Sequence, residues 1–201
     1  QVTIGQESHR VPSPFLVMAT QNPIESEGTY PLPEAQVDRF LMKVVVGYPT
    51  PAEEATVVER SLRPAAEVRP VLDAAGLAQL QAATPGVYVD PAIVAYAVAI
   101  VGATREPARF GQAALAQYIG FGASPRGSIS LIHAARALAL IRGRRYVIPQ
   151  DVAELARDVL RHRIVPSFTA LAEGVTPDRM LDSILPAVPA PRLITAEERS
   201  A

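Results

Sequence analysis

The stretch "PFLVMATQNPIESEGTYPLPEAQVDRFLMKVVVGYP", residues 14–49, decides how the chain is read. Two apolar segments, "FLVMA" (15–19) and "FLMKVVV" (40–46), bracket a polar insert rich in Gly and Pro. Compact apolar runs bounded by breakers predict strands buried on both faces, as in a parallel sheet. Between them "EAQVDR" (34–39) follows Pro33 and predicts a helical turn. Asn22 then stands at the carboxyl end of the first strand, and Asp38-Arg39 stands at the entrance to the second. In open α/β sheets the carboxyl ends of the strands are where ligands sit.

Each of these residues admits two readings. The Asn22 amide can hydrogen-bond a phosphate oxygen or orient an attacking water without adding charge; Asn before Pro equally starts a turn. The Arg39 guanidinium, held by a rigid strand, can neutralise charge on a transferred phosphoryl group, and such a residue contributes about 10³–10⁵ in rate in nucleotide hydrolases. Asp38 would orient it. The plain alternative is a surface Asp-Arg pair contributing about 0–1 kcal/mol. Arg126 lies in "GASPRGS" (122–128), in the first turn of a helix that Ser124-Pro125 opens. A cation there opposes the helix dipole unless an anion is nearby, and free amides beside an arginine suit a phosphate. An exposed arginine that tolerates the cost is the other account.

The bulk composition narrows the classes. The chain has 201 residues, 49% hydrophobic and 19% charged, with net charge −1 and no cysteine. A folded domain or two small ones is expected, without disulfides or thiolate metal sites. The near-neutral balance argues against a broad nucleic-acid-binding surface. The absence of cysteine fits a reducing, cytoplasmic setting. The longest apolar run, residues 92–101, is too short to span a bilayer and reads as a core helix. His9, His133 and His162 show no ligand spacing, so no metal site is expected within the chain. Its one lysine, Lys43, follows Met42, so the Gly-Lys-Ser/Thr loop that cradles phosphates is absent from the sequence.

Beyond Tyr48 the periodicity becomes helical. "QVTIG" and "SHRVP", around Gln6-Glu7, predict a hairpin at the start. Pro51 opens a helix with Glu53 and Glu54 in its first turn, and residues 73–82 form another. Asp90-Pro91, Ser124-Pro125, Pro149 with Asp151, and Thr176-Pro177 open four more. Leu131, Ala134, Ala135, Leu138 and Ile141 make one apolar stripe, and Val152, Leu155, Val159 and Leu160 a second. No strand is expected after residue 70, and a Pro-rich tail follows the last helix. The basic clusters "RGRR" (142–145) and "RHR" (161–163) read as solvated helix ends, with nucleic-acid contact as the alternative. The fold class is therefore an α/β fragment, with a hairpin and two parallel-type strands, followed by an all-helical domain. Two strands and a hairpin have little to pack against, which points to a part of something larger.

Taken together, "ATQNPIESEGTYPLPEAQVDRF" (19–40) resembles the sensor-1 to arginine-finger segment of the MoxR family of AAA+ ATPases. "GFGASPRGS" (120–128) resembles that family's sensor-2 motif, and residues 146–165 and 170–191 are similar to its later lid helices. The resemblance covers nearly the whole chain. It implies that residues 1–48 end an α/β core, 49–72 connect, and 73–201 form the helical lid. It implies Asn22 as sensor 1, Arg39 as a finger reaching a neighbouring subunit's nucleotide, and Arg126 as sensor 2. It further implies ATP and Mg2+ as cofactors, a homo-oligomeric, hexameric ring, von Willebrand factor A-type partners, and client complexes to be remodelled. Walker A and Walker B would lie upstream of Gln1, and the chain alone would be inactive. The magnesium chelatase-like branch shares "DRF", and a non-enzymatic helical interaction module is a third reading.

Overall fold

The computed structural model describes residues 2–21 and 32–192. By internal contacts these fall into two units: described residues within 1–29 and 45–83, and described residues within 30–44 and 84–201. Each is taken by itself.

The first unit opens with the expected hairpin. Strands β1 (Val2–Ile4) and β2 (Glu7–His9) pair antiparallel, with Thr3 opposite Ser8. The turn falls at Gly5-Gln6, where Gly5 takes φ +63°, a value open to glycine at no steric cost. The apolar run 15–19 is not a strand. Phe15, Leu16, Val17 and Met18 are all exposed, and the run has no ladder partner among the described residues. A strand exists only by pairing its backbone with a neighbour, and apolarity alone does not supply one. Residues 40–46, at the boundary of the two units, likewise carry no strand.

Further along the first unit, Thr50 caps a helix. Its hydroxyl accepts from the Glu53 N–H at 3.4 Å, and the Glu53 carboxylate accepts from the Thr50 N–H at 2.8 Å. That reciprocal box and Pro51 at the first helical position follow the order Thr-Pro-x-Glu.

The second unit holds the buried core. Its leading segment, residues 32–44, contains the one-turn helix α1 (Glu34–Val37). The first unit contributes α2 (Pro51–Ser61) and α3 (Ala74–Ala83). The second continues with α4 (Pro91–Arg105), a short strand β3 (Ile119–Phe121), α5 (Pro125–Ile141) and α6 (Pro149–Leu160). Strand β4 (Val165–Pro166), α7 (Phe168–Glu173) and α8 (Pro177–Ala187) complete it. The four Pro-marked starts all open helices. Asp90, Ser124 and Thr176 accept hydrogen bonds from the amides of Ala92, Arg126 and Arg179.

Helices α4, α5, α6 and α8 bury one core that includes Ile93, Ile100, Leu131, Val152, Leu160, Met180 and Ile184. Burying each such side chain stabilises by about 1.5–3 kcal/mol before entropy is counted. The predicted stripe on α5 is buried at Leu131, Ala134 and Ala135, but Ile141, the last residue of the helix, is 82% exposed. Two features were not expected. β3 and β4 form a short antiparallel pair, and the 3-10 turns Pro107–Phe110 and Ala113–Gln117 lead into it. Strands of three and two residues are too short to show an alternation. The Pro-rich tail begins within the described residues, with Pro186 inside α8, Val188 buried, and Pro189 and Pro191 beyond the helix; residues 193–201 lie outside them.

Candidate functional site

The site is built where the segment 32–44 lies on the start of α5 and the end of α6. Asn22 lies outside the described residues. Asp38, Arg39 and Arg126 are all described, and two of them meet.

Asp38 follows α1 and is half-buried, and its carboxylate faces the helical body. Ser124 Oγ donates to both carboxylate oxygens, at 3.1 and 2.9 Å. Arg163 Nε donates to Oδ1 at 3.1 Å, and Arg126 Nε stands 3.9 Å from Oδ2. Asp38 makes no hydrogen bond or ion pair with Arg39 among the described residues. The anion that an arginine in the first turn of α5 calls for is the Asp38 carboxylate. With half of the Arg126 side chain in solvent, that pair contributes about 0–1 kcal/mol.

Arg39 is exposed. Its backbone is fixed: its N–H donates to Gln36 O at 3.1 Å, and both neighbours are held by Arg163. The Arg163 side chain is 1% exposed. From one guanidinium, Nη2 donates to Asp38 O at 3.1 Å and to Phe40 O at 2.6 Å, and Nη1 donates to Leu41 O at 3.2 Å. Val159 O and Ser130 Oγ take further donors. A planar fork with five N–H groups reaches all six acceptors only by sharing a proton between two of them; an ammonium with three N–H groups cannot. Burial pushes the Arg163 pKa down, the Asp38 charge and hydrogen bond oppose that, and the Arg126 charge adds to it.

The same end of α6 takes up the rest of the segment. Lys43 N donates to Asp158 O at 2.8 Å, and Arg161 Nη1 donates to Lys43 O at 2.7 Å. His162 Nε2 lies 3.1 Å from Phe40 O. These bonds explain why residues 40–43 form no strand: helix-end groups satisfy their backbone instead of a sheet neighbour.

The start of α5 is held equally firmly. Gly122 packs against the end of α4 so closely that a Cβ there would lie 2.4 Å from Thr104 O. Thr104 is fully buried and its hydroxyl accepts from Ala123 N at 2.9 Å, while Arg105 Nε donates to Ala123 O at 2.6 Å. Gly127 lets α5 approach Leu160 and Val101. Thus Gly122, Thr104 and Arg105 aim Arg126. "FGASPRGS" suggested a helix start; nothing in the sequence linked it to Thr104, eighteen or more positions away.

The two basic clusters are solvated only in part: Arg142 and Arg145 are exposed, Arg144 and Arg161 are half-buried, and Arg163 is buried. Arg144 and Arg142 pair with Asp151, which is fully buried, at 2.5 and 3.4 Å. Arg161 pairs with Asp158 and Asp178, and Arg163 with Asp38. Only Arg145 of the five has no acidic partner among the described residues. They read as solvated because periodicity cannot show which carboxylate a helix end will face.

The exposed Arg39 and Arg126 suit the negative oxygens of a nucleotide's phosphates. Among the described residues no group of three or more His, Asp or Glu is placed to hold a metal ion. No described helix is long and apolar enough to cross a membrane.

Residues 112–199 match the AAA lid domain, and residues 1–42 match the family of ATPases associated with various cellular activities (AAA). The chain is 48% identical over 192 residues to Chaperone MoxR1 of Mycobacterium tuberculosis, covering 96% of this chain and 51% of that protein. It is 35% identical over 189 residues to Protein MoxR of Paracoccus denitrificans, covering 87% and 56%. The crystal structure of a presumed ATPase from Cytophaga hutchinsonii matches with a TM-score of 0.87 at 39% identity, covering 95% of this chain and 58% of that one. The chain spans about half the length of the curated relatives it matches. On the joint weight of both motif regions and these relatives, the chain belongs to the MoxR family of AAA ATPases.

Proposed function

We propose that this chain acts within a ring-forming ATPase that hydrolyses Mg-ATP to remodel client protein complexes. In this reading residues 1–48 end the ATPase core, 49–72 connect, and 73–201 are the lid. Asn22 orients the attacking water, Arg39 reaches the nucleotide of the next subunit, and Arg126 senses the nucleotide of its own. Asp38 acts indirectly, by tying the Arg39 segment to the helix that carries Arg126. The observation that carries the reading is the exposure of Arg39 on a backbone whose flanking residues are both held by Arg163. A guanidinium presented outward on a fixed support suits charge neutralisation in trans, where catalysis is mostly positioning and electrostatics.

The 201 residues alone contain no Gly-Lys-Ser/Thr loop, so by themselves they bind ATP weakly and do not turn it over. The site is expected in a cytoplasmic homo-oligomer, with von Willebrand factor A-type proteins as partners. Mg-ATP turnover of the full-length protein, followed across protein concentration, tests the reading. Specific activity should rise with concentration, and Arg39→Ala should abolish turnover while ATP still binds. Unchanged turnover in Arg39→Ala would overturn it.

The nucleic-acid alternative is weakened by the internal pairing of four of its five arginines.

A further inference from the structure

We infer that Arg163 is the positioning residue of Arg39, acting on the neighbouring subunit's nucleotide through the backbone it clamps. The inference rests on the trans role proposed for Arg39 and adds the device that sets its position.

The guanidinium of Arg163 bonds the carbonyls of Asp38 and Phe40, the residues on either side of Arg39, and the carboxylate of Asp38 as well. Leu41 O is a fourth acceptor on the same segment. The same two terminal nitrogens anchor the guanidinium to the lid, Nη1 on Val159 O at the end of α6 and Nη2 on Ser130 Oγ of α5. Side-chain burial leaves Arg163 no route to solvent, so it touches no phosphate itself. What it fixes is the line of the backbone from which Arg39 projects. A catalytic cation displaced by about 1 Å can lose on the order of 10²-fold in rate.

Arg163 also lies near the start of α5, through Asp38 and Ser124, so action on its own subunit's site through Arg126 is the competing reading. Complementation separates the two. In the full-length protein, Arg163→Gln should lower turnover at least about tenfold while ATP affinity and assembly are kept. Asn22→Ala should be inactive for a different reason, in its own site. In an equimolar mixture, a site with intact Asn22 from an Arg163→Gln subunit can receive Arg39 from an Asn22→Ala neighbour. Random heterologous packing in a ring gives about one such site in four, so the mixture should regain up to about a quarter of wild-type turnover.

The control mixes Arg39→Ala with Asn22→Ala. Recovery in both mixtures supports the inference. Recovery in the control alone overturns it and leaves the trans role of Arg39 standing, because Arg163 would then act in its own site or on the lid fold. No recovery in either overturns the trans reading and this inference with it. Arg163→Lys, which keeps the charge but loses the planar fork, carries the same test if the glutamine variant does not assemble. Wild-type turnover in Arg163→Gln likewise overturns the inference.

Discussion

Asp38 and Arg163 stand 125 positions apart and meet with Arg163 Nε 3.1 Å from Asp38 Oδ1. The pair closes residues 32–44 onto the helical body and brings the segment of Arg39 beside the helix of Arg126. Because Arg163 is buried and Asp38 only half so, the two partners should respond unequally to mutation.

Arg163→Met should cost about 3 kcal/mol, because it strands several carbonyls at once and leaves the Asp38 carboxylate with only Ser124 and the more distant Arg126. Asp38→Asn should cost about 1 kcal/mol, since Arg163 keeps its carbonyl acceptors and the amide still meets water. Urea unfolding of the chain, followed by helical circular dichroism, reads both. Equal losses would mean that Arg163 contributes no more than its ion pair.

Gly122→Ala should destabilise the helical body by about 3 kcal/mol, because the new methyl would meet the Thr104 backbone rather than a side chain that can move. Thr104→Val should cost about 1–3 kcal/mol by leaving the Ala123 N–H unpaired in the core. Gly47→Ala is the control: nothing lies within 4 Å and its φ is ordinary, so no loss is expected.

Asp151 is fully buried between Arg144, Arg142 and the Ile148 amide. Burial pushes its carboxyl up, but the Arg144 and Ile148 hydrogen bonds and the two arginine charges outweigh that and hold it below the usual carboxylate range. A depressed carboxylate pKa contributes stability above the unfolded value of about 4 that is lost as pH falls through the folded value. Asp151→Asn should cost about 2–3 kcal/mol at pH 7, with the gap narrowing at acid pH. A gap that stays constant down to pH 3 would assign the loss to packing alone.

His162 titrates in a separate window. Burial first, then the charges of Arg163 and Lys43, lower its pKa; the Phe40 carbonyl and Asp38 oppose this. Its folded pKa lies below the unfolded value near 6.5, so the unfolded chain binds the proton first and stability falls as pH drops below about 6.5. Urea midpoints at pH 7.5 and 5.5 should differ for the wild type and differ less for His162→Gln. Identical slopes would show that other groups carry the acid response.

The arginine clusters should not bind nucleic acid. Titration with duplex DNA at low salt should show no binding with a steep salt dependence, because Arg142, Arg144, Arg161 and Arg163 are neutralised internally. Tight, salt-sensitive binding would restore the interaction-module reading.

The sequence by itself determined the helices of the body and the identity of the family. Pro at the first turn behind Asp, Ser or Thr, and apolar residues at helical spacing, act over a few positions, and local chemistry is legible in local order. It also marked Asp38, Arg39 and Arg126, though not what each would touch. Only the tertiary structure decided that the Asp38 carboxylate turns to Ser124 and Arg163 and makes no contact with Arg39. It also decided that "RHR" conceals a buried clamp and that the apolar runs 15–19 and 40–46 form no strands. The physical reason is common to all three. Periodicity reports which side of an element is apolar, whereas a buried ion pair, a satisfied carbonyl or a strand depends on a partner supplied from far along the chain or from a neighbouring backbone.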